Sequence, residues 1–189
     1  MIDLPRIVLA SGSPRRSEIM NSVGWPFVKD VPDIDESERE GESPEDYVRR
    51  LAREKAQAVA GSHPGEIVLA ADTTVVIDGR IIGKPNDEDH AREMIEMLSG
   101  NWHEVLTGVA VAMNGNAELG MQRTRVKFAP MNDKEIEFLV REGDPLDKAG
   151  AYAVQAQAAL FIEAIEGDYW NVVGLPISLV YEMVKRAEK

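Results

Sequence analysis

The sequence contains no cysteine, so neither a disulfide framework nor a thiolate metal site is available to it. No apolar run approaches the length of a membrane span, and the first 30 residues lack a secretory-signal pattern. The expected location is therefore cytoplasmic, with no membrane partner. Histidine is scarce: His63, His90 and His103 are scattered without ligand spacing and read as structural or surface positions. A Walker phosphate loop, a Gly-x-Gly-x-x-Gly fingerprint and a Gly-x-Ser-x-Gly turn are all missing. Any phosphate must therefore be held by side chains and a helix start. Positive charge is also short, with 21 Lys and Arg against 33 Asp and Glu, a formal net charge of −12. Such a surface repels nucleic acid, which excludes a general polyanion binder. A small anionic ligand remains open if the basic residues converge.

What is present is ordinary for a globular protein: 189 residues, 44% hydrophobic and 29% charged. That length suits one domain, 1–189, with a core large enough for a mixed fold. Strand-like and helix-like stretches alternate. Ile7 to Ala10 predicts a strand, and Pro44 to about Ala60 a helix capped by Ser43. Glu66 to Ile77 is an almost continuous, β-branched apolar run, the pattern of a strand buried on both faces. Asp78-Gly79 predicts a hairpin return over Arg80 to Ile82, and Asn86 or Asp87 caps a helix reaching Leu98. Glu104–Met113 and Ala117–Phe128 predict long strands joined at Asn114-Gly115-Asn116. Asn132 or Asp133 caps a further helix, and Leu160–Ile165 with Tyr169–Val173 predicts a third hairpin. Pro176 opens a last helix. The fold class is α/β, with a mixed, largely antiparallel sheet flanked by helices and two lobes around a cleft.

The chemistry concentrates in a few places. Ser11-Gly12-Ser13-Pro14-Arg15-Arg16 follows the first strand and opens a helix. Two arginines, two hydroxyls and a helix N-terminus make an anion site, most simply for phosphate. The plainer alternative is a surface turn with solvated arginines. Asp72 lies inside the most apolar strand, where an unpaired carboxylate costs several kcal/mol in order of magnitude. It is a candidate general base or metal ligand, unless the strand stops at Ala71. Lys55 falls within the apolar stripe Val48, Leu51, Ala52, Ala56 and Val59, so it either snorkels or points into a polar site. Lys84 stands at a strand end after Gly83. Lys148 can serve a ligand or pair locally with Asp147 or Asp144. In the acidic stretch Asp33, Asp35, Glu36 and Glu38, mostly solvated, Glu36 is a candidate to join Asp72 on a divalent cation such as Mg²⁺ or Mn²⁺.

Taken in order, Leu9–Arg16, Tyr47–Ala56, Ala71-Asp72-Thr73, Gly83-Lys84-Pro85, Asp147–Tyr152 and Asn171–Pro176 resemble the Maf family of nucleoside triphosphate pyrophosphatases across nearly the whole chain. The resemblance implies hydrolysis between the α- and β-phosphates with a divalent metal, a fold like that of inosine-triphosphate pyrophosphatases, and a homodimer. Carried over by position, Asp72 accepts the proton from water. Ser11, Arg15, Arg16, Lys55 and Lys84 hold phosphates, and Glu36 with Asp72 serves the metal. Arg15, Thr73 and Gln155 look like the substrate-selecting set of the branch acting on dTTP and UTP. An amide such as Gln155 presents donor and acceptor together to a pyrimidine edge. The glycines the family usually carries around that glutamine are replaced here in Ala153-Val154-Gln155-Ala156-Gln157-Ala158, and any left-handed turn there would be strained. Two alternatives stay open: a housecleaning pyrophosphatase for modified or purine nucleotides, and a non-catalytic nucleotide sensor linked to cell-division arrest.

Overall fold

In a computed structural model, described here for residues 3–188, the chain forms one mixed seven-stranded sheet with helices. The strands are β1 (Ile7–Leu9), β2 (Phe27–Lys29), β3 (Ile67–Ile77), β4 (Arg80–Ile82), β5 (Trp102–Met113), β6 (Asn116–Phe128) and β7 (Ile162–Glu166). The helices are α1 (Pro14–Ser22), α2 (Pro44–Ala60), α3 (Glu88–Leu98), α4 (Asp133–Glu142), α5 (Tyr169–Val173) and α6 (Ile177–Ala187). Strand order is β2-β1-β3-β5-β6-β7, with β4 paired to β3. β1 runs parallel to β2 and β3, whereas β3–β4 and β6–β7 are antiparallel. Both tight turns are of the left-handed kind that hairpins prefer: Asp78 and Gly79 have φ of 50° and 74°, Asn114 and Gly115 have 51° and 81°. No helix among the described residues is long and apolar enough to cross a membrane.

Two compact units emerge. Among the described residues the first comprises 3–72, 107–122 and 174–188, the second 73–106 and 123–173, and β3, β5 and β6 contribute to both. In the first, α2 begins as its sequence dictates. The Ser43 hydroxyl accepts from the Asp46 amide, Pro44 takes the first position, and Glu45 and Asp46 complement the dipole. Its apolar stripe packs on strands lined with small residues: Ala52, Ala56 and Val59 meet Val8, Ala10, Val68, Ala70, Ala110 and Ala112. Small side chains let helix and sheet approach closely. At Gly108 on β5 the approach is closest, because a Cβ there would stand 2.1 Å from the Val48 carbonyl oxygen.

In the second unit, His103 is buried and its Nε2 lies 2.7 Å from the Tyr152 hydroxyl, with Phe128 edge-on to both rings. The third predicted hairpin is not there. β7 pairs with the far half of β6, while Tyr169–Val173 turns into the short helix α5. Asp168 explains the difference: its carboxylate caps the Trp170 amide at 2.8 Å, and its own backbone is clasped by the Thr124 hydroxyl. Asn171 then turns inward and donates to Val105 O and Thr124 Oγ1, a role no strand residue at the sheet edge would fill. The alanines around Gln155 carry no left-handed strain either. Among the described residues the left-handed non-glycines are Asp78, Asn114, Asp144 and Ala151.

Gly108→Ala should destabilise the fold by about 1–3 kcal/mol, since backbone rather than a flexible side chain blocks the added methyl. Thermal unfolding should register a midpoint lower by several degrees. A second expectation concerns pH. Burial pushes the His103 imidazole down to about 4, so between pH 6.5 and 4 the unfolded chain binds a proton that the folded chain refuses. Acidification through that window should cost on the order of 3 kcal/mol of stability, and His103→Leu should flatten that limb in a pH series of urea melts. His63 acts in the opposite sense. Glu66 and then Asp30 raise it, so its contribution is present in acid and fades as pH climbs through its raised value.

Candidate functional site

Most of the candidate residues lie in the first unit, where strand, loop and helix ends converge. β1 ends at Leu9 and the chain crosses Ala10 to Ser13 before α1. Ser13 occupies the N-cap position without a side-chain cap bond, and Pro14 follows as expected. The turn ahead of the helix is instead tied by Ser11. Ser11, buried, accepts from the Ser13 amide at 3.2 Å and from Arg16 Nη1 at 3.0 Å. Arg16 Nε donates to Gly174 O at 2.9 Å, so the guanidinium is locked by one backbone carbonyl and one side-chain hydroxyl. Burial pulls Arg16 below its ordinary value, Asp72 opposes that, Arg15 adds to it, and Glu36 opposes it again. Arg16 therefore feels both acids of the site. Arg15, its neighbour in the first turn, is half-buried.

Asp72 sits in mid-strand rather than at a strand end, because β3 continues to Ile77. It is 7% exposed, and the Lys55 ammonium on α2 donates to its Oδ1 at 2.6 Å. Lys55 is itself 7% exposed and does not snorkel. Its Nζ also lies 2.9 Å from Glu36 Oε1, whose side chain is half exposed. One buried cation thus holds two carboxylates from separate parts of the chain. Asp33, Asp35 and Glu38 remain solvated, as their composition suggested.

Thr73, Lys84 and Gln155 belong to the second unit. Thr73 is half-buried on β3, and Lys84 and Gln155 are exposed. The Gly83 carbonyl next to Lys84 accepts from the Gly150 amide at 3.0 Å, which ties the two loops together. Gly150 is left-handed at φ 70°, and a Cβ there would press on Val75 at 2.8 Å. Lys148 turns out to be spent locally: it pairs with Asp147 Oδ1 at 2.7 Å and Asp144 Oδ2 at 3.2 Å.

Sequence reasoning missed Arg50, Tyr47 and Glu42. Arg50, 5% exposed, makes a two-pronged contact with Glu42 at 2.6 and 2.7 Å. The only signal in the sequence was the i,i+4 spacing of Arg50 and Glu54, which ordinarily marks a surface pair. Glu42 precedes the helix, so no periodicity points to it.

Chemically, the arrangement offers a shielded carboxylate, two buried cations and a pair of hard oxygen donors. Two carboxylates already share one positive charge within 3 Å-scale contacts of 2.6 and 2.9 Å, so a divalent cation suits the same donors. Among the described residues no cluster of three or more His, Cys, Asp or Glu is arranged to hold a metal. Two carboxylates nevertheless match the habit of Mg²⁺, which completes its shell with water and substrate phosphate.

Comparison with known proteins gives the chain its relatives. The chain is 47% identical over 181 residues to a protein named dTTP/UTP pyrophosphatase in Symbiobacterium thermophilum, covering 96% of this chain and 93% of that one. A protein of the same name in Anaeromyxobacter dehalogenans (strain 2CP-C) is 49% identical over 188 residues, covering 97% and 94%. Among solved structures, the Ham1 protein of Staphylococcus aureus superposes with a TM-score of 0.54 at 16% identity, covering 97% of this chain and all of that one, a likeness of fold. The family model described as Maf-like protein matches residues 6–187, and the chain belongs to that family.

Proposed function

We propose that this chain hydrolyses dTTP and UTP to the nucleoside monophosphate and pyrophosphate, residues 1–189 working as one pyrophosphatase domain in the cytoplasm. The single observation that carries the reading is the buried Lys55 ammonium, shared by Asp72 and Glu36 beside the locked Arg16. The names of its relatives support the substrate. No nucleic acid or membrane is needed as partner, and a homodimer accords with the family resemblance.

Ser11, Arg15, Arg16, Lys55 and Lys84 hold the triphosphate, each charge-assisted contact contributing about 1.5–3 kcal/mol. Lys55 has two calls on its charge. Without substrate it neutralises Asp72 and Glu36; an incoming phosphate competes for the same ammonium and releases the carboxylates. Asp72 Oδ then accepts a proton from a water whose oxygen bonds to the α-phosphorus. The bond from that phosphorus to the bridging oxygen breaks, and pyrophosphate leaves with the electron pair. A divalent cation, Mg²⁺ or Mn²⁺, held by Asp72 and Glu36, offsets phosphate charge when bound. Arg15, Thr73 and Gln155 select the base, Gln155 through an amide that pairs with both a donor and an acceptor of a pyrimidine.

Asp72→Asn keeps a hydrogen-bond acceptor for Lys55, so fold and nucleotide binding should persist while pyrophosphate release slows by roughly 10²–10⁴-fold. Titration calorimetry with dTTP beside a coupled phosphate assay separates the two effects, and undiminished turnover would remove Asp72 from the chemistry. For base selection, a panel of nucleoside triphosphates at one concentration should favour dTTP and UTP. Gln155→Glu should lower kcat/KM for both by roughly 10–100-fold, as expected for losing a paired donor.

A further inference from the structure

The stretch between β2 and α2, residues 30–43, has no regular strand or helix, yet it carries Glu36. An exposed glutamate on an irregular segment has no reason of its own to stand still. Here the segment is fastened from one side of α2, at three consecutive turns. Tyr47 Oη donates to the Glu36 carbonyl at 3.0 Å. Arg50 Nη2 donates to the Ser37 carbonyl at 3.0 Å, while Nε and Nη2 grip Glu42 at the far end of the segment at 2.6 and 2.7 Å. Lys55 then receives the Glu36 carboxylate at 2.9 Å. Between these points Asp35 Oδ1 closes a local turn by accepting from the Ser37 amide and hydroxyl at 2.9 and 2.6 Å. The Arg50 fork is buried, its guanidinium faces the Tyr47 ring at 5.5 Å, and Nη1 reaches Glu54 at 3.3 Å.

We propose that Arg50, assisted by Tyr47, is a positioning residue for the reaction. Tyr47 holds the Glu36 carbonyl and Arg50 the Ser37 carbonyl next to it, so that the Glu36 carboxylate is presented beside Lys55 and Asp72. Neither Arg50 nor Tyr47 acts on substrate; both act through Glu36. The planar fork of arginine suits this role, since it satisfies a carboxylate with two parallel bonds and still reaches a carbonyl. A lysine at the same place keeps the charge but loses that geometry. Fastening the segment in advance removes an ordering cost from the step in which metal and nucleotide bind. The inference rests on the reading that Glu36 belongs to the catalytic site.

The experiment is a double-mutant cycle on the whole chain. Glu36→Gln, Arg50→Met, Arg50→Lys and Tyr47→Phe are compared, each Arg50 and Tyr47 change being made also in the Glu36→Gln background. Readouts are kcat and KM for dTTP, the Mn²⁺ concentration giving half-maximal rate, and the thermal midpoint. Arg50→Met and Arg50→Lys should each lower kcat at least tenfold and raise the half-activating Mn²⁺ several-fold, and Tyr47→Phe should do so about threefold. In the Glu36→Gln background these same changes should have no further effect. Tyr47→Phe removes one partly exposed hydroxyl, so it carries the test if Arg50→Met does not fold. Equal losses in both backgrounds, or wild-type kcat and Mn²⁺ response in Arg50→Lys and Tyr47→Phe, would overturn the positioning role. Full activity in Glu36→Gln alone would overturn it too, and would locate the failure in the site reading rather than in the fastening of the segment.

Discussion

A single ammonium group, withdrawn from water and shared by two carboxylates, is the interaction on which the rest of the first unit turns. Burying a lysine costs several kcal/mol in order of magnitude, and no isolated ion pair returns that reliably. The cost is carried by the helix that bears it. Val48, Leu51 and Val59 are all buried along the same stripe, each worth about 1.5–3 kcal/mol. Asp72 on β3 and Glu36 on the preceding segment then settle where the charge already is. A helix, a strand and an irregular segment are thereby coordinated by one atom.

The same arrangement reconciles an acidic protein with the polyanionic substrate proposed for it. The net charge of −12 belongs to the whole surface, and most of those acids face solvent. At physiological salt, charges are screened beyond about 8 Å, so distant carboxylates weigh little on a bound phosphate. In the proposed reaction, a phosphate meets at close range Arg15, Arg16 and Lys55, at the head of one helix and the side of another. Local excess decides binding here, and global charge decides what is kept away. The cost is paired electrostatics: Lys55 has two internal acids, Asp72 and Glu36, as rivals for the proposed substrate.

Much of this was legible from the residues alone, for identifiable reasons. Apolar runs and capping residues marked β3, α2, α3 and α4, since period and cap chemistry are local properties. Asp72 and Lys55 stood out because each broke the apolar pattern around it, and the structure places them 2.6 Å apart. Tyr169–Val173 was misread because an aromatic, β-branched run looks extended. The Asp168 cap and the inward Asn171 amide outweigh that preference through bonds to Thr124, 44 and 47 residues away in sequence. Arg50 was invisible for a related reason. Its partner Glu42 lies outside the helix, where no repeat constrains spacing, and a buried arginine on α2 looks in sequence like any solvated one.

Gly108 has an implication for how the first unit can respond to a ligand. With a helix carbonyl in the place a methyl group would take, the backbones of α2 and β5 meet at that point with no side chain between them, and farther along only small side chains and Val59 fill the gap. Rotamer changes cannot absorb a shift of one against the other, so the two elements are obliged to travel together. Lys55 rides on α2 and is carried with it, whereas the coil ahead of α2 is anchored by hydrogen bonds and ion pairs from Tyr47, Arg50 and Lys55 instead of by packed backbone.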